Sequence, residues 1–409
     1  MRWPIGFSQG WASRFRRRRR YCNRCWPLIP SKPGDVWRAQ ARNALGQGKA
    51  QLLLVLGATA TAAVPGISAA GATPAARQFT AAADAELLLL GPRAQRPHAL
   101  PPLPAGVSPA LISWVALQAL ALPALVLDAG CAVAPAVPHL RLGLPPAQCL
   151  SSGAAMAPAA VARRRAIGQR LGRGWRRRQS GGLLVLAECV PGGTSTAEAL
   201  LTGLGLDVQG LLSGSLRSPP HGLRAQLVAE GLAKAKDLDP DDPLAVLCAL
   251  GDPMQALALG LLEGLFEAAA EPGAEAGAEL PEPLLLLAGG SQMAAVLALA
   301  LALAPPAQRH RLAARTALVT TAWVAEEPGS NLAELLQRIG QRWQLQPLSF
   351  SSSLRFAGCG QQALRDYEAG YVKEGVGAGG LAFLCELAGI EPELLAAACD
   401  RACAQLLAA

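Results

Sequence analysis

The chain has 409 residues, 51% of them hydrophobic but only 4% aromatic, so its length allows two to three domains around a core that Ala and Leu must fill. The formal charge of +8 is uneven: residues 1–49 carry 12 Lys/Arg against the single acid Asp35, while the remaining 360 residues carry 25 basic and 28 acidic side chains. The body is thus mildly acidic, which removes the nucleic-acid reading that a basic pI would invite, and the scattered 43 Gly and 32 Pro exclude a low-complexity chain.

Residues 1–48 read as a basic extension without a packed structure of its own. Arg16–Arg20 form a like-charge run that cannot pack, interleaved with Trp3, Trp11, Tyr21 and Trp26. An arm for anionic surfaces or RNA is the other use of such a segment. No apolar stretch of a signal peptide follows the arginines. Of the ten cysteines, Cys22-x-x-Cys25 alone has metal-like spacing, and it lacks a second pair. The thiols are expected to be reduced, in a soluble cytosolic protein, and no zinc site is expected.

From residue 49 onward the predicted elements alternate. Apolar runs at 51–56, 124–128, 183–187, 284–288 and 316–320 have the length of buried strands. Each runs into a turn rich in Gly, Ser or Thr and then a helical pattern. The repetition predicts an α/β fold with a parallel sheet, and ligands of such sheets bind beyond the carboxyl ends of the strands. Residues 161–178 carry eight arginines on a helical stretch and read as a solvated helix face. Residues 225–236 and 391–409 also read as helices, and the acidic, Pro/Gly-rich segment 267–282 as a surface loop. The stretch 284–304 is long enough to span a membrane, but Gly289-Gly290-Ser291-Gln292 interrupts it after five apolar residues, so a strand, a turn and a buried helix fit better.

Two of the turns suit an anion. In Glu188–Thr196, Gly192 and Gly193 let backbone N–H groups approach a ligand, Thr194, Ser195 and Thr196 add hydroxyls, and a helix N-terminus follows. An N-capped turn with no ligand would have much the same sequence. The segment Gly289–Gln292 repeats the arrangement, with Gly290 and Ser291 as donors and Gln292 long enough to reach into a site. A third glycine cluster, Gly375-Val376-Gly377-Ala378-Gly379-Gly380, satisfies the dinucleotide spacing, but no strand runs into it and no suitable acid follows, so a nicotinamide dinucleotide is not expected. Beside it stands Glu374, a carboxylate placed to accept a proton if burial raises its pKa; an exposed pair with Lys373 is the plain alternative. His98, His139, His221 and His310 are isolated and carry no chemistry in this reading.

Taken together, ECVPGGTSTAEALLTGLG (188–205), GDPMQ (251–255), AGGSQMAAVLAL (288–299), VTTAWVAEEP (319–328) and YEAGYVKEGVGAGG (367–380) resemble the nicotinate-nucleotide:dimethylbenzimidazole phosphoribosyltransferase family, in its cyanobacterial and archaeal uncharacterised branch. VPGISAAGATP (64–74) and FTAAADAELLLLGP (79–92) fit that branch too, and the resemblance spans roughly residues 50–400. It implies a Rossmann-like parallel sheet flanked by helices, a smaller helical domain built from both chain ends, a homodimer, and no metal or redox cofactor. It also implies transfer of the phosphoribosyl group of nicotinate mononucleotide to a benzimidazole-type base, giving α-ribazole phosphate. Glu374 matches the family's general base, and the glycines beside it would leave room for the substrate ring. Glu188, Gly192, Gly193 and Thr194 would neighbour the nucleotide, Gly290 and Ser291 would face its phosphate, and Gly375 and Gly377 would line the site. Arg224 is the candidate for a phosphate contact that the family gives to a lysine. Lys373 stands where the bacterial members have glycine, and Gly replaces an Asn in the 188–196 loop, which leaves the acceptor base open. An enzyme of this kind acting on another nucleotide or acceptor, or a non-catalytic nucleotide-binding protein, would keep the same turns.

Overall fold

The computed structural model describes residues 32–267 and 281–408. The arginine run, Cys22 and Cys25, and most of the acidic 267–282 segment lie outside the described residues. Seven strands, β1 (Ala50–Leu56), β2 (Ala124–Asp128), β3 (Leu140–Arg141), β4 (Leu183–Cys189), β5 (Leu284–Ala288), β6 (Thr316–Thr320) and β7 (Leu348–Ser351), form one parallel sheet in the order β3-β2-β1-β4-β5-β6-β7. The five long apolar runs are its five inner strands. β4, β5 and β6 are buried throughout, which is why they read as unbroken hydrophobic runs rather than alternating ones. The two edges, β3 and the Leu-Ser-Phe-Ser strand β7, are short and carry polar residues, so they give no comparable signal.

Helices cover both faces. One face packs Lys32–Gly46, Thr80–Leu90 and Ala110–Leu120 together with Ala378–Leu387 and Pro392–Leu407, so segments from both chain ends share a core there. The 1–48 extension is therefore shorter than its composition suggests: residues 32–46 form a helix that buries Trp37, Ala41 and Ala44. Its apolar positions win because they repeat on one side of the helix while the charges stay outside.

On the other face the helices Pro158–Arg178 and Pro253–Phe266 cross at backbone distance. A Cβ at Gly168 would lie 2.3 Å from the Leu257 carbonyl oxygen, and one at Gly260 2.0 Å from the Arg165 carbonyl oxygen. Gly172 and Gly264 repeat the contact one turn on. The arginine-rich helix is thus a packed element. Arg164 is fully buried, and its Nε donates to the Ala129 carbonyl (2.8 Å), so the reading of residues 161–178 as a wholly solvated face fails at that residue. Arg165 forms a bidentate pair with Glu263 across the crossing (2.6 and 2.7 Å). Among the described residues no helix is long and apolar enough to cross a membrane.

Candidate active site

The chain builds β1, β2 and β3 outward in one direction, then returns to lay β4 beside β1 and continues the other way. The ends of β1 and β4 therefore flank the point where strand order reverses, and a crevice opens there in folds of this kind. A cavity of about 370 Å³ occupies that position. It brings together Glu188, Gly192, Thr194, Gly290, Ser291, Gln292, Glu374 and Gly375, from three segments far apart in sequence.

Glu374 sits in strained backbone. Val372, Lys373 and Val376 have φ of 62°, 68° and 53°, and the N–H groups of Lys373 and Glu374 donate to the carbonyls two residues back (2.7 and 2.9 Å). Such residues cost about 1–3 kcal/mol each and persist only where the surroundings hold them. Here Val372 N donates to the Ser215 carbonyl (3.1 Å), the Thr321 hydroxyl to the Lys373 carbonyl (2.7 Å), Val376 N to the Glu188 carbonyl (3.0 Å), and the Ser113 hydroxyl to the Val376 carbonyl (2.8 Å). The carboxylate they present accepts four hydrogen bonds. Gly375 N and Gly379 N donate to one oxygen (3.0 and 3.1 Å), Thr321 N and the Thr320 hydroxyl to the other (2.9 and 3.1 Å). Burial raises its pKa above the ordinary carboxylate range against these four donors.

The neighbouring glycines have another purpose than making room for a ring. A Cβ at Gly379 would lie 2.2 Å from the Thr320 carbonyl carbon, one at Gly380 2.5 Å from Ala288 Cβ, and one at Gly377 2.8 Å from Ala187 Cβ. They let the helix Ala378–Leu387 press its N-terminus onto the ends of β4, β5 and β6, which brings its amides to Glu374. Gly377 itself lies outside the cavity lining.

Glu188, the next-to-last residue of β4, faces the same space. Its oxygens accept from Val190 N (2.9 Å) and from Gln292 Nε2 (3.0 Å), and Gln292 lies flat against Gly193, where a Cβ would meet its amide oxygen at 1.9 Å. Burial, with Asp252 and Glu374 adding to it, pushes the Glu188 pKa up to about 8. Between its ordinary value of 4.5 and about 8 the folded chain keeps a proton that the unfolded chain has released, so stability falls as pH rises through that window. Melting temperatures measured across that range should therefore decline less in Glu188→Gln than in the wild type; parallel declines would assign the slope to other groups.

The remaining predicted residues divide. The helices Gly193–Gly203 and Ser291–Leu303 both start at the cavity, with Thr194, Ser291 and Gln292 in its lining, but Gly193 N and Ser195 N are turned to the Val190 and Gly192 carbonyls (2.9 and 3.0 Å). The Ser291 hydroxyl accepts from Ser213 N (3.0 Å), which brings the Ser213–Ser215 loop to the same end. Ser195 and Thr196 are buried outside the lining: the Thr196 hydroxyl donates to Asp252 (2.6 Å), the residue that caps the helix Pro253–Phe266. Gly193 is likewise behind Gln292. Arg224 does not reach the cavity; it pairs with Glu198 (3.2 Å) and donates to the Leu212 carbonyl (3.1 Å), with Nη2 buried and unpartnered behind Gly214.

The sequence reading placed Lys373 only as an exposed partner of Glu374 or a departure from the family, and it gave the lining residues Asp84, Ser108 and Arg96 no role. Lys373, 1% exposed, donates to Glu327 (2.5 Å) and to the Leu216 carbonyl (2.6 Å), so it is neither exposed nor paired with Glu374. Asp84, Ser108 and Arg96 come from segments with no glycine turn. Asp84 left one usable sign, an acid inside the Ala/Leu helix Thr80–Leu90.

No family model matches the chain. It is 51% identical over 369 residues to a UPF0284 protein of Prochlorococcus marinus (strain MIT 9313), covering 87% of this chain and 86% of that one. The chain belongs to the UPF0284 family. Other UPF0284 members, from Parasynechococcus marenigrum (strain WH8102) and Gloeobacter violaceus, are 49% and 44% identical over 89% and 86% of this chain, and over the same shares of their own. Among solved structures, CobT from Thermus thermophilus superposes with a TM-score of 0.52 at 21% identity, covering 91% of this chain and 90% of that one. This UPF0284 protein therefore has the CobT fold.

Proposed function

We propose that the chain transfers the phosphoribosyl group of nicotinate mononucleotide to a benzimidazole-type base. The observation that carries this reading is the pairing, in one cavity at the reversal point of the sheet, of a fixed buried carboxylate with two helix N-termini suited to a phosphate. The likeness in fold to CobT supports it.

In this reading the nucleotide phosphate sits between Thr194, at the start of Gly193–Gly203, and the N-terminus of Ser291–Leu303. One acceptor nitrogen attacks the ribosyl carbon on the face opposite nicotinate. A carbon–nitrogen bond forms there as the bond to the pyridinium nitrogen breaks, and that electron pair neutralises the departing ring. Glu374 takes the proton from the acceptor's other nitrogen at the lone pair that the rotatable Thr320 hydroxyl gives up, so charge does not build up on the attacking ring. Strain and four donors hold the carboxylate in one orientation, which a proton acceptor needs and a surface Lys-Glu pair would not have. Assembly as a homodimer, a small helical domain formed by the two chain ends and a cytosolic location belong to the same proposal.

Purified protein incubated with nicotinate mononucleotide and a panel of bases should release nicotinate only when an acceptor is present. Binding of the nucleotide without release for any acceptor would make the chain a nucleotide-binding protein instead.

A further inference from the structure

The cavity has a further polar feature besides Glu374 and the helix N-termini. The helix Thr80–Leu90 is buried along most of its length and places Asp84, 4% exposed, in the cavity wall. The Ser108 hydroxyl donates to one carboxylate oxygen (2.6 Å) and the Cys189 thiol to the other (3.3 Å). Ser108 precedes Pro109, whose ring packs where a Cβ on Gly375 would be (2.9 Å), and Cys189 follows Glu188. Asp84 is thereby tied to the segments that carry both other carboxylates. Leu100, Leu103 and Val107 give the same cavity apolar lining, beside the polar Thr80 and Arg96.

An ionised carboxylate offers about four lone-pair positions, and two of these are used. The Ser108 and Cys189 donors each reach one oxygen, the arrangement that an ionised carboxylate takes, against the burial that raises the Asp84 pKa to about 6. A ring filling this end with a methyl group would strip water from the carboxylate and return no hydrogen bond, whereas an amino or hydroxyl group would complete it.

We infer that Asp84 selects the acceptor, favouring a fused nitrogen heterocycle with an amino or hydroxyl donor on its six-membered ring over one with only methyl groups there. The inference rests on reading the cavity as an acceptor site. Asp84 would act by positioning: its hydrogen bond to the far edge of the ring sets which nitrogen faces the ribosyl carbon and which faces Glu374.

The test compares aminobenzimidazole with methylbenzimidazole, substituted at the same six-ring position and nearly equal in size, beside unsubstituted benzimidazole. The protein is saturated with nicotinate mononucleotide. Dissociation constants are measured by calorimetry and kcat/KM by nicotinate release. The amino compound should be preferred by at least about 100-fold, because a site that hydrogen-bonds its ligand rejects the analogue without that group. Asp84→Asn, of similar size, should reduce the preference at least ten-fold while the nucleotide's own dissociation constant stays within a few-fold. Equal or reversed preference in the wild type overturns the inference, whatever the variant does. Selective binding of the amino compound without nicotinate release from any acceptor upholds selection by Asp84 and sinks the transfer reaction, so the two failures are distinguishable.

Discussion

Glu374→Gln is expected to lower acceptor-dependent nicotinate release by about 10²–10⁴-fold, the usual contribution of a positioned proton acceptor. The amide has nearly the shape of the carboxylate and keeps no basic oxygen. Its effect on the fold follows from the four donors. The glutamine oxygen can face Gly375 N and Gly379 N, and its amino group can donate to the Thr320 hydroxyl, which is free to reverse its role. Thr321 N cannot reverse and would meet a donor, a loss of about 1–3 kcal/mol for a buried group left unpaired. The variant should thus melt slightly lower, bind nicotinate mononucleotide within a few-fold of wild type, and lose kcat far more than affinity. Near-normal turnover would remove Glu374 from the chemistry and leave Glu188, whose pKa burial also raises, as the next candidate proton acceptor.

Gly379→Ala is expected to have the largest effect on stability for one added methyl group at the site. Its Cβ would lie 2.2 Å from the Thr320 carbonyl carbon, 2.3 Å from Thr321 N and 2.5 Å from Glu374 Oε2. Two of these are backbone atoms at the end of a buried central strand and cannot rotate aside. Overpacking of this kind costs about 1–3 kcal/mol and occasionally more. Either the helix Ala378–Leu387 lifts from the sheet, or the Glu374 loop shifts and loses the amides that orient it. Both outcomes lower the melting temperature and the rate together. Gly222→Ala is the control, since nothing lies within 4 Å of a Cβ there and alanine is the better helix former. If the two alanine variants melted alike, the close docking of this helix on β5 and β6 would be wrong.

Much of the site was legible in sequence because a βα turn is a local object. A buried strand, two glycines, a hydroxyl and a helix lie within about fifteen residues, and the physics that places the amides acts over the same span. That holds for Glu188, Gly192 and Thr194 and for Gly290 to Gln292, all of which line the cavity. The same grammar misled at Ser195 and Thr196. One turn into a helix, a hydroxyl faces wherever helical geometry sends it, and Thr196 is sent to Asp252, 56 residues away. Arg224 shows the limit differently: a basic residue near a predicted site gives no indication that Glu198 will pair with it behind the cavity wall.

The sequence alone determined the sheet, its five inner strands and the cluster of turns at one edge, because unbroken apolar runs punctuated by glycine have few other stable uses. Only the tertiary structure decided what surrounds Glu374. Its donors come from residues 320, 321, 375 and 379, and its loop is held by residues 113, 188 and 215, so contacts separated by up to 263 positions fix one carboxylate. The glycines at 375–380 are visible as a motif, yet their purpose, bringing a helix end within contact of Ala288 and Thr320, exists only once β5 and β6 are side by side. Asp84 belongs to the same class. An acid in an apolar helix is a cost in every local reading, and it becomes a site feature only where Ser108 and Cys189 meet it at the wall of a cavity.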